Sequence, residues 1–133
     1  MNPARYRTEE EQLKAVRKNG FAIRYIYNPS EAVQLEAINE DGRSIQYIDN
    51  PSEKVKLAAV EQDWHAIEYI NNQSERVQMA VVKQNIHAIQ FIHNPSEKVI
   101  RYIIESEDTL AIQSMRIDFE ELPDELKLRL EII

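Results

Sequence analysis

The chain has 133 residues, of which 43% are hydrophobic and 29% charged, a length that fits one domain and a balance too apolar for a disordered segment. It contains no cysteine, which excludes disulfides, thiolate metal sites and cysteine nucleophiles and fits a reducing compartment. The formal net charge of −7 is uneven: residues 1–104 hold 13 Lys/Arg against 14 Asp/Glu, and residues 105–133 hold 3 against 9.

The first stretch, Met1 to Glu11, is polar and charged, without the apolar run of a secretion signal. No later stretch approaches the roughly 18 apolar residues of a membrane span. The cytoplasm is the default location, and no membrane partner is expected.

From Tyr6 onward a unit of 22 residues is used about five times. Thr8, Leu13, Ala15, Val16 and Asn19 stand where Ser30, Leu35, Ala37, Ile38 and Asp41 stand one unit later. Asn28-Pro29-Ser30-Glu31 returns as Asn50-Pro51-Ser52-Glu53, Asn72-Gln73-Ser74-Glu75 and Asn94-Pro95-Ser96-Glu97. Each unit closes on a matching segment: Ala22-Ile23-Arg24-Tyr25-Ile26, Ser44-Ile45-Gln46-Tyr47-Ile48, Ala66-Ile67-Glu68-Tyr69-Ile70 and Ala88-Ile89-Gln90-Phe91-Ile92. The repeats run over about 6–27, 28–49, 50–71, 72–93 and 94–116 within one domain of residues 1–133. The fifth needs one inserted residue before Ala111-Ile112 falls into place, as terminal repeats often drift.

Within a unit, Asn-Pro-Ser-Glu predicts a helix start. The Asn side chain caps it, Pro takes the first helical position, and Glu reaches back to complete a capping box. The helix then runs from Pro51 to Gln62 in the third repeat, with Val55, Leu57, Ala59 and Val60 as its apolar stripe. Asn19, Asp41, Asp63 and Asn85 end these helices, tolerating a left-handed conformation and capping a second, shorter helix. That helix carries Ile67, Tyr69 and Ile70 before the next Asn-Pro stops it. Neither helix is long enough to hold alone, so the units must stack. Small alanines, among them Ala15, Ala37, Ala59, Ala22, Ala66 and Ala88, are expected at the closest approaches. The expected fold is all-α, an α-solenoid of about five helix-turn-helix repeats. Residues 117–133 add a C-terminal capping helix with a Leu122-Leu126-Leu130-Ile133 stripe. Leu128 and Ile132 lie off that stripe and offer a homodimer contact through this helix.

The string from Leu57 to Ile70, Leu-Ala-Ala-Val-Glu-Gln-Asp-Trp-His-Ala-Ile-Glu-Tyr-Ile, resembles a short two-helix tandem repeat found in bacterial and phage proteins of unknown function. The resemblance covers residues 6 to about 115. It implies an α-solenoid and carries no catalytic residues with it.

Chemistry-bearing residues have local explanations. His65 and His87 share a repeat position that holds Phe21 and Arg43 earlier, and no carboxylate recurs beside it, so we read these and His93 as surface or stacking residues rather than zinc ligands. Glu31, Glu53, Glu75 and Glu97 are read as capping residues, and Ser30, Ser52, Ser74 and Ser96 lack a base at fixed spacing. No catalytic residue, metal site or cofactor is expected. Tyr25, Tyr47, Tyr69 and Phe91 form a ladder read as semi-buried and structural.

Repeat proteins place specificity at positions released from packing. In the short helices these are Phe21, Arg43, His65 and His87, then Arg24, Gln46, Glu68 and Gln90, then Tyr27, Asp49, Asn71 and His93, with Trp64 and Ile86 as an extension. This mixed strip is the candidate partner surface, and the function expected is a non-catalytic protein-binding module. Direct nucleic-acid binding is not expected, because phosphates are held by cations that this chain does not supply in excess. The alternative is a phage-encoded acidic inhibitor of a host defence nuclease, whose net −6 over residues 105–133 would occupy a basic nucleic-acid-binding surface.

Overall fold

A computed structural model describes residues 6–132, with the side chain of Ile132 excepted. The contributions expected from Met1 to Arg5, from the Ile132 side chain and from Ile133 lie outside the described residues. The fold is all-α and built from helical repeats. The chain divides into two compact units, Met1–Asn71 and Asn72–Ile133, and the division falls on the boundary between the third and fourth repeats.

In the first unit the α-helices are α1 (Glu9–Lys18), α2 (Glu31–Glu40) and α3 (Glu53–Gln62). Each is followed by a six-residue 3-10 helix: Gly20–Tyr25, Gly42–Tyr47 and Trp64–Tyr69. The α-helices pack on their successors, and so do the 3-10 helices. The second unit contains α4 (Glu75–Gln84), the 3-10 helix Ile86–Phe91, α5 (Glu97–Ser106), α6 (Thr109–Ser114), a 3-10 turn at Phe119–Glu121, and α7 (Asp124–Ile132).

The helix start differs from the capping box expected. Ser, not Asn, is the cap: the hydroxyls of Ser30, Ser52, Ser74 and Ser96 accept from the backbone N–H of Val33, Val55, Val77 and Val99 at 3.2–3.3 Å. The helix therefore begins at Glu53 rather than Pro51. The same cap forms in the fourth repeat, where Gln73 replaces proline, so the serine and not the Asn-Pro bond sets the helix start. Asn28 and Asn50 adopt left-handed φ of 49° and 48°, a conformation that Asn tolerates. Pro then leads into an extended Ser. Glu31 does not reach back to Asn28 either. Glu9 and Glu31 accept from the hydroxyls of Ser30 and Ser52, one repeat on, at 2.7 and 3.0 Å. Each of those hydroxyls thus accepts within its own helix and donates to its neighbour.

The turn residues are extended, not left-handed, with φ between −156° and −149°. Their backbone N–H groups close the preceding helix on Ala15, Ala37, Ala59 and Val81. Their side chains accept from Phe21, Arg43, His65 and His87, two residues further on, at 3.0 Å. One residue ends a helix and starts the next, and a cap that reaches only two residues suits the tight 3-10 geometry.

The last repeat shows what the inserted residue does. Glu107 takes the left-handed stop of α5, with φ of 59°. Asp108 takes the cap and accepts from Ala111, three residues on, at 3.0 Å. With the two duties divided, the second helix of this repeat is α rather than 3-10. α7 then packs on α5, where Leu126 is buried with Ile100 and Ile104, and Leu122 and Leu130 cover their edge. Alanines 37, 59, 66 and 88 are fully buried, while Ala15 and Ala22 in the first repeat are only half-buried.

Candidate partner-binding surface

The 3-10 helices present most of the strip residues, but Tyr27, Asp49, Asn71 and His93, expected in the short helices, lie in the turns that follow them, because each 3-10 helix stops two residues earlier. In the first unit, Phe21 is half-buried and meets the Tyr47 ring edge-on at 5.6 Å. The Arg24 guanidinium lies over the Tyr25 ring at 4.5 Å and stands 5.9 Å from the Tyr47 ring. Tyr27 is 86% exposed. Arg43 pairs with Asp63 at 3.1 Å, and the Gln46 amide donates to the Arg43 carbonyl at 3.0 Å. Trp64 stacks on His65 at 3.8 Å, and the His65 Nδ1 lies 2.7 Å from Asp63. Asp49 and Glu68 are exposed.

Asp63 is the electrostatic centre of this group. Burial acts to raise its carboxyl, but the hydrogen bonds from the His65 ring and backbone, with the charges of His65 and Arg43, outweigh it and hold it below the ordinary value of 3.8.

In the second unit, His87 Nε2 faces Asp108 at 3.3 Å, and the Gln90 amide donates to the His87 carbonyl at 3.3 Å. His93 Nδ1 lies 3.1 Å from Arg116. Each histidine is thus engaged with a different neighbour, and among the described residues no group of three or more His, Asp or Glu side chains is arranged to hold a metal ion. Structural partners therefore occupy Phe21, Arg43, Trp64, His65, His87 and His93. Arg24, Tyr27, Asp49 and Glu68 have no hydrogen bond or ion pair among the described residues, and all four lie in the first unit.

Three of these four line one cleft. It has a volume of about 310 Å³ and is walled by Arg24, Tyr27, Asn28, Pro29, Gln34, Tyr47 and Asp49, over Ile26 and Ile48. The tyrosine ladder is wetter than expected, with Tyr25 38% and Tyr69 41% exposed.

A recurring glutamine was missed in the sequence. The Gln12, Gln34 and Gln78 amides donate to the Tyr6, Pro29 and Gln73 carbonyls at 2.9–3.0 Å, tying each α-helix to its own entry turn. Gln78 is buried and also bonds Asn94 and Ser96. The recurrence of glutamine at the repeat interval was the available signal.

Among the described residues, no helix is long and apolar enough to cross a membrane. Comparison of the chain with protein-family models, with curated proteins and with solved structures finds no match.

Proposed function

We propose that the chain is a non-catalytic protein-binding helical-repeat module that receives its partner on the exposed edge of its 3-10 helices and the turns that follow them. The observation that carries this reading is a division of labour among residues. Those that repeat are taken up by caps, turns and core, while Arg24, Tyr27, Asp49 and Glu68 vary between repeats, stand exposed and bond to nothing described. Repeat proteins recognise partners through such positions.

Four of the nine carboxylates on which the acidic-inhibitor reading draws are engaged within the chain. Asp108 faces His87, Glu125 pairs with Arg101 at 3.1 Å, Glu120 with Lys127 at 3.8 Å, and Asp118 caps the turn at Glu120. Pairing of two chains through α7 is a second proposal, whose motive is Leu128, 58% exposed, while Leu122, Leu126 and Leu130 pack inward.

The test is affinity capture from the native host, followed by mass spectrometry, with two baits. The wild type should retain a protein that the Arg24→Gln, Tyr27→Ala, Asp49→Asn, Glu68→Gln variant loses at unchanged melting temperature. Equal capture by both baits would remove this face from consideration.

A further inference from the structure

We infer that the cleft between Arg24, Tyr27 and Tyr47 binds a linear peptide through a single carboxylate set beside a proline or aromatic ring. This rests on the reading of the chain as a protein-binding module and names the chemistry of its ligand.

Arg24 is the first ground. Arg17, Arg43 and Arg101 are each held by a carboxylate, from Glu36, Asp63, and Glu97 with Glu125. Arg24 meets none among the described residues, a condition it shares with Arg76 and Arg116; its place against two rings is what sets it apart. It is oriented instead by the Tyr25 ring at 4.5 Å and the Tyr47 ring at 5.9 Å. A guanidinium stacked on rings keeps its in-plane N–H fork free, and that fork matches a carboxylate in two parallel hydrogen bonds.

Tyr27 is the second. A tyrosine 86% exposed beside Pro29 and Tyr47 on the wall of a cleft is a platform for another ring, the surface on which proline-rich and aromatic segments dock. A cleft of about 310 Å³ suits a few side chains rather than a domain.

Asp49 sets the limit. Its exposed carboxylate lines the same cleft without a described partner and would repel a second negative charge. One acid is therefore accepted and a run of acids or phosphates is not. This favours a peptide over a nucleic acid, whose phosphates follow one another along the strand.

The probe is a library of random short peptides displayed against the full chain, with the selected peptides measured by fluorescence anisotropy. Selected sequences should share one Asp or Glu next to Pro, Phe, Tyr or Trp. Arg24→Gln and Tyr27→Ala should each weaken them about tenfold or more, while Arg116→Gln in the second unit leaves them unchanged. Asp49→Asn should improve binding of a doubly acidic version several-fold. Circular dichroism confirms that each variant is folded. Selected peptides without an acid, no selected peptide at all, insensitivity to Arg24→Gln, or tighter binding of oligo-deoxythymidine at this cleft would each overturn the assignment. A native partner captured equally by wild type and Arg24→Gln, yet lost on Glu68→Gln, would leave the module reading standing while removing the cleft.

Discussion

Gly20 lies so close to Ala37 that a Cβ built at position 20 would stand 2.6 Å from the Ala37 carbonyl oxygen. Gly42 stands in the same relation to Ala59, also at 2.6 Å. Neither glycine has a positive φ, so close approach of neighbouring repeats, not backbone conformation, requires them. Gly→Ala within a helix ordinarily stabilises by about 0.5–1 kcal/mol. Here the opposite is predicted: Gly20→Ala and Gly42→Ala should each destabilise by about 1–3 kcal/mol, because a backbone oxygen must be displaced. Urea denaturation measures it, and an unchanged midpoint would contradict the packing described.

Ser44 provides a gain by the converse argument. Its hydroxyl is buried and has no hydrogen-bond partner, at a repeat position that holds Ala22, Ala66 and Ala88 elsewhere. Ser44→Ala should stabilise by about 1 kcal/mol, since a buried polar group without a partner carries its desolvation cost uncompensated. It should rescue Gly20→Ala only in part, because a Cβ at position 20 would meet both the Ser44 hydroxyl at 2.7 Å and the Ala37 oxygen at 2.6 Å, and the oxygen remains in place.

The turn at Asp63 separates capping from charge. Asn19 and Asn85 cap in the same way, so Asp63→Asn should keep the cap and lose only the charged contacts to Arg43 and His65, costing under about 1 kcal/mol. Asp63→Ala should cost about 1–2 kcal/mol. The carboxyl is held below its ordinary value of 3.8, so its contribution is complete above that value and is lost as pH falls through the lowered one. Denaturation of wild type and Asp63→Asn at neutral and acid pH should show their difference shrinking below pH 3.8. A difference that widens on acidification would show the sign to be wrong.

Glu107 is left-handed, with φ of 59°, where Glu has no conformational advantage. Glu107→Gly should stabilise the end of α5 by up to about 1 kcal/mol. In the same unit, Leu126→Ala should cost about 2–5 kcal/mol by opening a cavity against Ile100 and Ile104. Thermal melts of the two variants should move in opposite directions.

The period, the all-α class and the place of each turn were legible because Asn-Pro-Ser-Glu and the Asn/Asp positions encode local chemistry that recurs every 22 residues. What each residue does inside those signals was less legible. Asn28 and Ser30 are both good caps by type, and spacing alone does not choose between them. Whether Glu31 bonds its own repeat or Ser52 in the next depends on stacking, which local spacing does not carry. The second helices are 3-10 because their cap reaches two residues rather than three, a difference no apolar pattern records over six positions. For the candidate surface, the variable positions could be named from the repeat alone. Which of them are occupied, such as His65 by Asp63 and Trp64, and which are free, such as Arg24, required the packed structure.

The central claim is that repeated residues build the fold and variable residues on the 3-10 helices and following turns of the first unit receive the partner. Amide hydrogen exchange on the chain alone and saturated with its captured partner tests this most directly. The account predicts new protection over Gly20–Tyr25 and Gly42–Tyr47 and the turns that follow them. Protection confined to α1, α2 and α3, or to residues 105–133, would contradict it.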